Sequence, residues 1–505
     1  MAKTILLFGA GKSSAILIDY LITEAIANNW KIIIADNDKD QILSKTNNSS
    51  FVEAIQIDIT DNEKRFKLIA KADIIISLMP AALHFLIATD CVENNKNLLT
   101  ASYIDDRLKK LQPEIEKKGL LFICELGLDP GIDHMSAMQL IDSIKKEGGV
   151  ITSFKSHCGG LVAPENDNSP WRYKISWNPR NVVMAVKRGS IYKADGNIIN
   201  EKYEELFEPQ RGIKFPGLGF LSYYPNRNSL EYISLYKLQE INTFLRTTLR
   251  YPDFIYGWKN LIELKLTDEK EEYETDGLSL QYFFKQHLEK NGFGNWLQNN
   301  LNERLSKTRV LLENLMKLIE TERAAKQEGQ NIPENFMLVD EEGGLKDMGI
   351  EEIKNKATAA VANQMHEANL TLNQLFYLGM DDNETMINKG RCSAADVLQF
   401  ALEKKLALQP EDKDMIVMLH EIDYIKDGIK RHVESSLVVY GENNLRTAMA
   451  KTVGLPLGIT AKLILNGSIQ LTGLHIPVIK EIYEPVLTEL KKFGITFSEN
   501  NNASK

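Results

Sequence analysis

The first 130 residues alternate short, almost wholly apolar runs with amphipathic segments, and that alternation constrains the fold more than any other feature of the chain. Thr4–Gly9 (TILLFG), Lys31–Ala35 (KIIIA), Ala54–Asp58 (AIQID), Asp73–Leu78 (DIIISL), Asn97–Ser102 (NLLTAS) and Leu120–Glu125 (LLFICE) each read as a strand. Runs this apolar need cover on both faces, the condition of a parallel sheet. Helical spacing fills the gaps at Ser13–Asn28, Glu63–Ala70, Ala82–Val92 and Asp106–Lys117. The pattern predicts an α/β fold built on a Rossmann-type doubly wound parallel sheet, whose ligands sit at the carboxyl ends of the strands.

Beyond Gly131 the texture changes. Residues 150–260 carry aromatics, glycines and isolated arginines, with strand-like pieces at Ile151–His157 and Asn181–Ala185, as in a second α+β domain. Residues 262–380 are helical and charged, with Leu301, Leu305, Leu312, Leu315 and Ile319 tracing one helix face. Asp268–Glu274 reads as a solvated acidic run and Gln327–Gly344 as a loop. An amphipathic helix is predicted at Pro477–Phe493, followed by a frayed polar tail, Ser498–Lys505.

The 505 residues are 43% hydrophobic and 26% charged, which places the chain among globular proteins rather than disordered or fibrous ones. Sixty basic against 69 acidic residues leave a net charge of −9, which argues against a nucleic-acid partner. Cys91, Cys124, Cys158 and Cys392 show neither disulfide nor metal-ligand spacing, so no metal is expected and a reducing, cytoplasmic setting fits. The opening residues are apolar too briefly for a signal peptide. Ile74–Ala88, read as the most apolar stretch, is short and interrupted by Pro80 and His84, so no membrane span is expected.

G-A-G-K-S-S at Gly9–Ser14 follows the first strand and opens the first helix. Gly9 permits a tight turn, and Gly11 lets the backbone approach a pyrophosphate facing the helix amides. Asp36, ending the second strand, suits the ribose hydroxyls of NAD and would repel the 2′-phosphate of NADP; the other reading is that it caps the turn while Lys39 holds a phosphate. Glu125–His134 (ELGLDPGIDH) is a stiff turn at the end of the sixth strand. Asp133 there is read as an N-cap for a helix over Met135–Lys146, which leaves Asp129 as the chemical candidate. His157 and Cys158 would point to opposite faces of a strand, so they form no nucleophile pair; alone, Cys158 reads more readily as a small buried residue than as a catalytic group. Arg227, Arg246 and Arg250 lie among aromatics and turn residues. Each alone reads as a surface ion pair; together they suggest a pocket for several carboxylates.

Taken in order, these motifs resemble the saccharopine reductase family, the glutamate-forming saccharopine dehydrogenases. The carrying residues are GAGKSS, ISLMP at Ile76–Pro80, TASYI at Thr100–Ile104, ELGLDPGIDH, SHCGGLVAPE at Ser156–Glu165, YKISW at Tyr173–Trp177, YYPNRNSL at Tyr223–Leu230, TLRYP at Thr248–Pro252 and AMAKTVGLPLGI at Ala448–Ile459. The resemblance implies a dinucleotide domain, 1–130, completed by about 440–475, and a substrate and dimerisation domain, 131–440, with a helical insertion at about 265–380. A C-terminal helix and tail, 476–505, close the chain, and a homodimer is implied.

The implied reaction joins L-glutamate and 2-aminoadipate 6-semialdehyde as an imine that NAD(P)H reduces to saccharopine. Saccharopine would contact Ser102, Tyr103, Asp129, Arg227, Arg246, Thr248, Leu249 and Arg250. The cofactor would contact Gly9, Ala10, Gly11, Lys12, Asp36, Asp58, Ile59, Ser77, Leu78, Thr100, Leu126, Gly127, Leu128, Pro130 and Gly131, with Asn178 near both ligands. Many family members carry an arginine after the second strand; Ala35–Asp36 departs from that and favours NAD over NADP. Imine chemistry needs proton transfers, for which Asp129, Tyr103 and Cys158 are the candidates. Two other readings stand beside this one: a carboxynorspermidine or homospermidine synthase-like imine reductase, whose diamines the arginines would oppose, and a non-catalytic nucleotide-binding protein.

Overall fold

A computed structural model describes residues 2–327, 335–339 and 345–503. The chain forms two compact units: one from Met1–Asn168, Arg172–Tyr256 and Leu406–Lys505, the other from Ser169–Trp171 and Gly257–Lys405.

The first unit opens on β1 (Thr4–Phe8), β2 (Lys31–Asp36), β3 (Val52–Gln56), β4 (Ile74–Ser77), β5 (Asn97–Thr100) and β6 (Leu121–Ile123). They pair in parallel in the order β3-β2-β1-β4-β5-β6. This is the doubly wound sheet expected. A seventh strand, Gly473–His475, pairs in parallel with β6; three residues are too few to carry a periodic signal. Strand side chains alternate between two cores: Ile5, Leu7, Ile32, Ile34, Ile74 and Ile76 face one, and Leu6, Phe8, Ile33, Ala35 and Ile75 the other. Burial on both faces is why the runs are apolar throughout.

The connecting helices are α1 (Ala15–Asn28), α2 (Lys39–Thr46), α3 (Asn62–Lys71), α4 (His84–Glu93) and α5 (Asp106–Lys117), with α6 (Ile132–Lys146) leaving the sheet. No helix was expected at α2, where only Ile42 and Thr46 are buried. Helix Ala448–Leu465 packs against α1, and the Asp414 carboxylate accepts its Ala448 and Met449 N–H groups at 2.6 and 3.0 Å. This helix, and not Ile74–Ala88, has the length and composition to cross a membrane; 72% of it is buried inside the protein.

The second sheet of this unit is centred on β7 (Val150–Val162). It pairs in parallel with Thr243–Arg250 and antiparallel with Asp414–Lys426, which continues to Ile429–Tyr440. Two expectations are corrected here. Asn181–Ala185 is no strand: Pro179–Val183 is a short helix started by the Asn178 side chain and the fixed φ of Pro179. The polar tail is not frayed over Ser498–Ala503, which pairs with the open edge of Ile429–Tyr440; an edge needs backbone partners, not apolar side chains. Its last two residues lie outside those described.

In the second unit, helix Trp296–Gln327 packs along helix Ile350–Tyr377, held by Arg304–Glu367 and Lys354–Glu322 ion pairs. The expected leucine stripe is split: Leu301, Leu315 and Ile319 are half-buried, while Leu305 and Leu312 are exposed. The predicted loop at Gln327–Gly344 falls partly outside the described residues, and Asn335–Val339 within it pairs with Leu345–Gly349. The acidic run is solvated at its start, but Glu271–Glu274 forms a strand against Arg391–Ser393.

Candidate active site

The carboxyl ends of the parallel strands bring most of the expected cofactor residues to one edge. β1 and β4 lie side by side where the strand order reverses, and the loops that leave them carry Gly9–Lys12 and Leu78. A side chain at Gly9, with φ +98°, would meet the Leu78 carbonyl oxygen at 3.0 Å. Gly11 faces open space, so a phosphate could reach its backbone at the start of the helix. Ser77 and Thr100 end β4 and β5 and are fully buried. The chain around Gly11 therefore fits a dinucleotide.

Asp36 is already engaged. Its carboxylate accepts the Ala10 N–H at 2.6 Å and the Asp38 N–H at 3.0 Å. Lys45, on α2, reaches over the same loop and donates to the Ala10 and Gly11 carbonyl oxygens. Lys39, the other candidate for a phosphate, is exposed at the start of α2. Asp58 is exposed and caps its own turn, accepting from Thr60 N–H and Oγ1 at 2.8 and 2.7 Å; Ile59 is buried beside it.

The sixth strand runs into the Leu126–Gly131 turn. Gly127 N–H donates to Pro130 O and Ile132 N–H to Gly127 O, both at 2.9 Å. Gly131, φ +146°, must be glycine: a Cβ there would lie 2.1 Å from Gly127 O. Leu126 and Leu128 are buried, so they offer a ligand backbone rather than side chain. Asp133 is no N-cap, because α6 starts at Ile132. It sits in the first turn, where its Oδ1 accepts the Gly131 N–H at 2.6 Å.

The centre of the site is Arg246. Its Nη2 donates to Asp129 Oδ1 at 2.6 Å and to Asp133 Oδ2 at 2.7 Å, and its guanidinium lies 4.4 Å over the Tyr232 ring. Expected as a substrate contact, Arg246 is 2% exposed and its Nη2 is shared by the two carboxylates. The two aspartates diverge. Burial lifts Asp129 to about 6, against the pull of Arg246. Burial also opposes ionisation of Asp133, but His134, Arg246 and the Gly131 N–H outweigh it and hold its carboxyl below the usual range. Behind them Glu125 accepts from His134 Nε2 and Tyr232 hydroxyl, both at 3.0 Å, and His134 Nδ1 meets the Tyr236 hydroxyl at 2.6 Å.

Arg227, exposed and with φ +53°, lays its guanidinium 4.9 Å over the Tyr103 ring. Burial and the charge of Asp129 push the Tyr103 phenol up, and the same two causes push the Cys158 thiol up. Thr248 is in register with Cys158. Arg250 is buried, bonds the Leu249 carbonyl at 2.8 Å, and keeps a buried Nε with no partner. Leu249 does not join this group: its side chain packs in the apolar core on the far face of the sheet, with Leu161 and Val417. Asn178 does not join it either; it is exposed and its side chain accepts the Arg180 N–H at 2.9 Å.

Two saccharopine dehydrogenase models span the chain: the NADP binding domain matches residues 5–123 and the C-terminal domain residues 127–495. The chain belongs to the saccharopine dehydrogenase family. The L-glutamate-forming, NADP(+) saccharopine dehydrogenase of Saccharomyces cerevisiae is 30% identical over the full length of both chains. The mouse mitochondrial alpha-aminoadipic semialdehyde synthase is 32% identical over 98% of this chain; this chain spans about half (47%) of that relative's length. The apo structure of the yeast enzyme matches with a TM-score of 0.76 at 27% identity, covering 99% of this chain and 100% of that one. A Legionella pneumophila homospermidine synthase with NAD matches with a TM-score of 0.53 at 8% identity, which shows a shared fold.

Sequence reasoning missed Lys45, His84 and Tyr232 as members of this region. An Asp38 cap three residues before Gln41 was a signal for α2 and so for Lys45. Nothing local marks Tyr232 as a partner of Arg246.

Proposed function

We propose that this protein interconverts saccharopine with L-glutamate and 2-aminoadipate 6-semialdehyde through an imine, using NAD(P). The observation that carries the reading is Asp129, lifted to about 6 and anchored on Arg246, at the carboxyl edge of a dinucleotide-type sheet. A bound nicotinamide supplies hydride transfer. Imine formation and hydrolysis need a group that changes charge near neutral pH. Asp129 does this, with 13% of its side chain exposed to receive a proton; Asp133 stays charged and balances Arg246. Tyr103 and Cys158 remain protonated and so have a proton to donate to a ligand.

The substrate's carboxylates go to Arg227 and to the unpartnered Nε of Arg250. Truncating Arg250 to alanine raises the KM for saccharopine, because breaking a buried charged pair costs about 2–5 kcal/mol; truncating Arg227, which is exposed, raises it less. An unchanged KM in both variants removes them from the site. Diamines offer nothing for these cations, which sets the homospermidine synthase-like reading second. Absorbance at 340 nm decides between them: saccharopine with NADP+ or NAD+ generates signal, and diamine substrates do not.

Asp36 and Lys45 set the choice of dinucleotide. The carboxylate disfavours a 2′-phosphate, and the ammonium beside it favours one. Asp36→Ala shifts the Kd ratio toward NADPH and Lys45→Ala shifts it toward NADH, each by about tenfold, the worth of one charge-assisted hydrogen bond. Ratios unmoved in both variants overturn this assignment. The reading includes a homodimer in a cytoplasmic, reducing setting. Val438 and Tyr440, 36% and 48% exposed, and four free thiols support it; light scattering tests the assembly.

A further inference from the structure

The stretch that leaves β6 carries three carboxylates, Glu125, Asp129 and Asp133, and Arg246 bonds only the two aspartates. Glu125 is engaged on the other side. Its Oε2 accepts from His134 Nε2–H and the Tyr232 hydroxyl, both at 3.0 Å, and its Oε1 accepts the Ile104 N–H at 3.3 Å. His134 is fully buried, and its Nδ1 lies 2.6 Å from the Tyr236 hydroxyl and 3.7 Å from Asp133 Oδ2. A line of charged groups therefore runs Glu125–His134–Asp133–Arg246–Asp129, with steps of 3.0, 3.7, 2.7 and 2.6 Å. Tyr232 braces it: its ring stacks on His134 at 5.0 Å and lies 4.4 Å under the Arg246 guanidinium. Glu125 keeps its place with φ +55° while its N–H donates to Ser102 O at 2.9 Å. Residues other than glycine rarely adopt this backbone, and it clusters at functional sites.

The groups packed around this line add little charge of their own. Burial pushes the Tyr232 and Tyr236 phenols up, and they stay neutral. Tyr103 and Cys158 are held protonated in the same way. His420, which reaches α6 from the strand Asp414–Lys426 through Ser136 Oγ at 2.8 Å, is driven down to about 4 by burial and is neutral. His157 of β7 is paired with Glu421 at 2.9 Å. Arg227, lying over Tyr103, acts on Asp129 from the exposed side. Against the cost of burial, positive charge on His134 favours the ionised form of Asp133, and it also favours that of Asp129, where Arg246 acts more strongly.

We propose that Glu125 and His134 are a pair of positioning residues: Glu125 keeps both ring protons on His134, and the imidazolium charge keeps Asp133 ionised so that the proton of the site comes and goes at Asp129. The inference rests on the saccharopine reading above. Both side chains are buried and act through Asp133. An anion bonded to an imidazole favours its charged form, and a cation within about 4–6 Å of a carboxylate favours the carboxylate. Without that charge Arg246 alone faces two carboxylates that compete for one proton, and the last proton leaves the pair at higher pH. Glutamine at position 125 keeps the shape and an acceptor oxygen and removes the charge that holds the imidazolium.

The pH dependence of kcat/KM for saccharopine oxidation with NADP+ tests this. The acid limb of the native protein has its midpoint near 6. In Glu125→Gln and in His134→Gln the midpoint moves up by about one pH unit, the low end of what a charge at this range does, while the plateau at high pH is largely kept. The double variant moves no further than either single one, because both act on one charge. Glu125→Gln decides alone if the buried histidine cannot be replaced without unfolding. A pair that only supports the fold would lower Tm or the plateau and leave the midpoint in place. A midpoint unmoved in Glu125→Gln, or shifts that add in the double variant, overturns the proposal. The same displacement is read without turnover. The fall in stability with rising pH that Asp129→Asn removes ends near pH 6 in the native protein and continues to about pH 7 in Glu125→Gln. A native protein that oxidises no saccharopine at any pH overturns the underlying reading, and the stability curve still decides for or against the pair.

Discussion

Asp129→Asn is expected to fold, to bind the dinucleotide, and to lose about 10- to 10⁴-fold in kcat or kcat/KM. The low end of that range applies where the substrate's own amine carries part of the proton traffic. The expectation follows from two carboxylates on one guanidinium nitrogen, 2.6 and 2.7 Å away. One cation cannot neutralise both, so the pair loses its protons in two steps. Asp133 has the Gly131 N–H as well and a side chain only 2% exposed, and it ionises first. Asp129 has no backbone donor among the described residues and is left as the base. The turn is closed by Gly127, Pro130 and Asp133, so a purely structural role for Asp129 has little to act on.

Activity in saccharopine cleavage should rise as pH passes through about 6, where Asp129 becomes the free base, and the asparagine variant should lose that acid limb. Stability runs the other way. The folded pKa of Asp129 lies above its unfolded value of about 3.9, so between the two the folded state holds more protons and stability falls as pH rises. This slope, about 1–3 kcal/mol in all, should be absent from Asp129→Asn in pH-dependent calorimetry. Native rates and an unmoved acid limb in the variant would pass the proton work to Tyr103 or Cys158.

Arg246→Met is expected to be the most damaging single substitution in the site. It leaves Asp129 and Asp133 buried and uncompensated, and removing one partner of a buried pair costs about 3–5 kcal/mol. The loss should depend on pH. Asp133, held below its unfolded value, contributes stability that is present above about pH 4 and lost as pH falls through its folded pKa. Without Arg246 that contribution disappears at neutral pH, while at pH 4 the aspartates can take up protons and relieve the strain. Thermal unfolding should therefore show a larger drop in Tm at pH 8 than at pH 4, with activity lost at both. A variant as stable as the native protein at pH 8 would mean that the carboxylates find other partners.

What the chain's own pattern determined was the layered frame and the ligand edge. Residues along β1, β2 and β4 alternate between two cores, so the positions between the polar strand ends are apolar and the strands stand out. The turn at Gly131 follows from a local steric demand, against Gly127, whereas the close approach at Gly9 is to Leu78 after β4. Short or polar elements escaped: α2 buries only Ile42 and Thr46, and the strand Ser498–Ala503 is held by backbone pairing alone. Asp129 and Asp133 were visible within one short stretch, but their unequal protonation was not. That depends on Arg246, 117 residues from Asp129, and on how deeply each carboxylate is buried. Likewise His84 looked like an interruption in an apolar run until β4 and β5 brought Ser77 and Ser102 to its two nitrogens. Strand and turn signals are local because backbone geometry is local. Proton affinity is a sum over burial and charges from distant segments, and only the tertiary structure sets those distances.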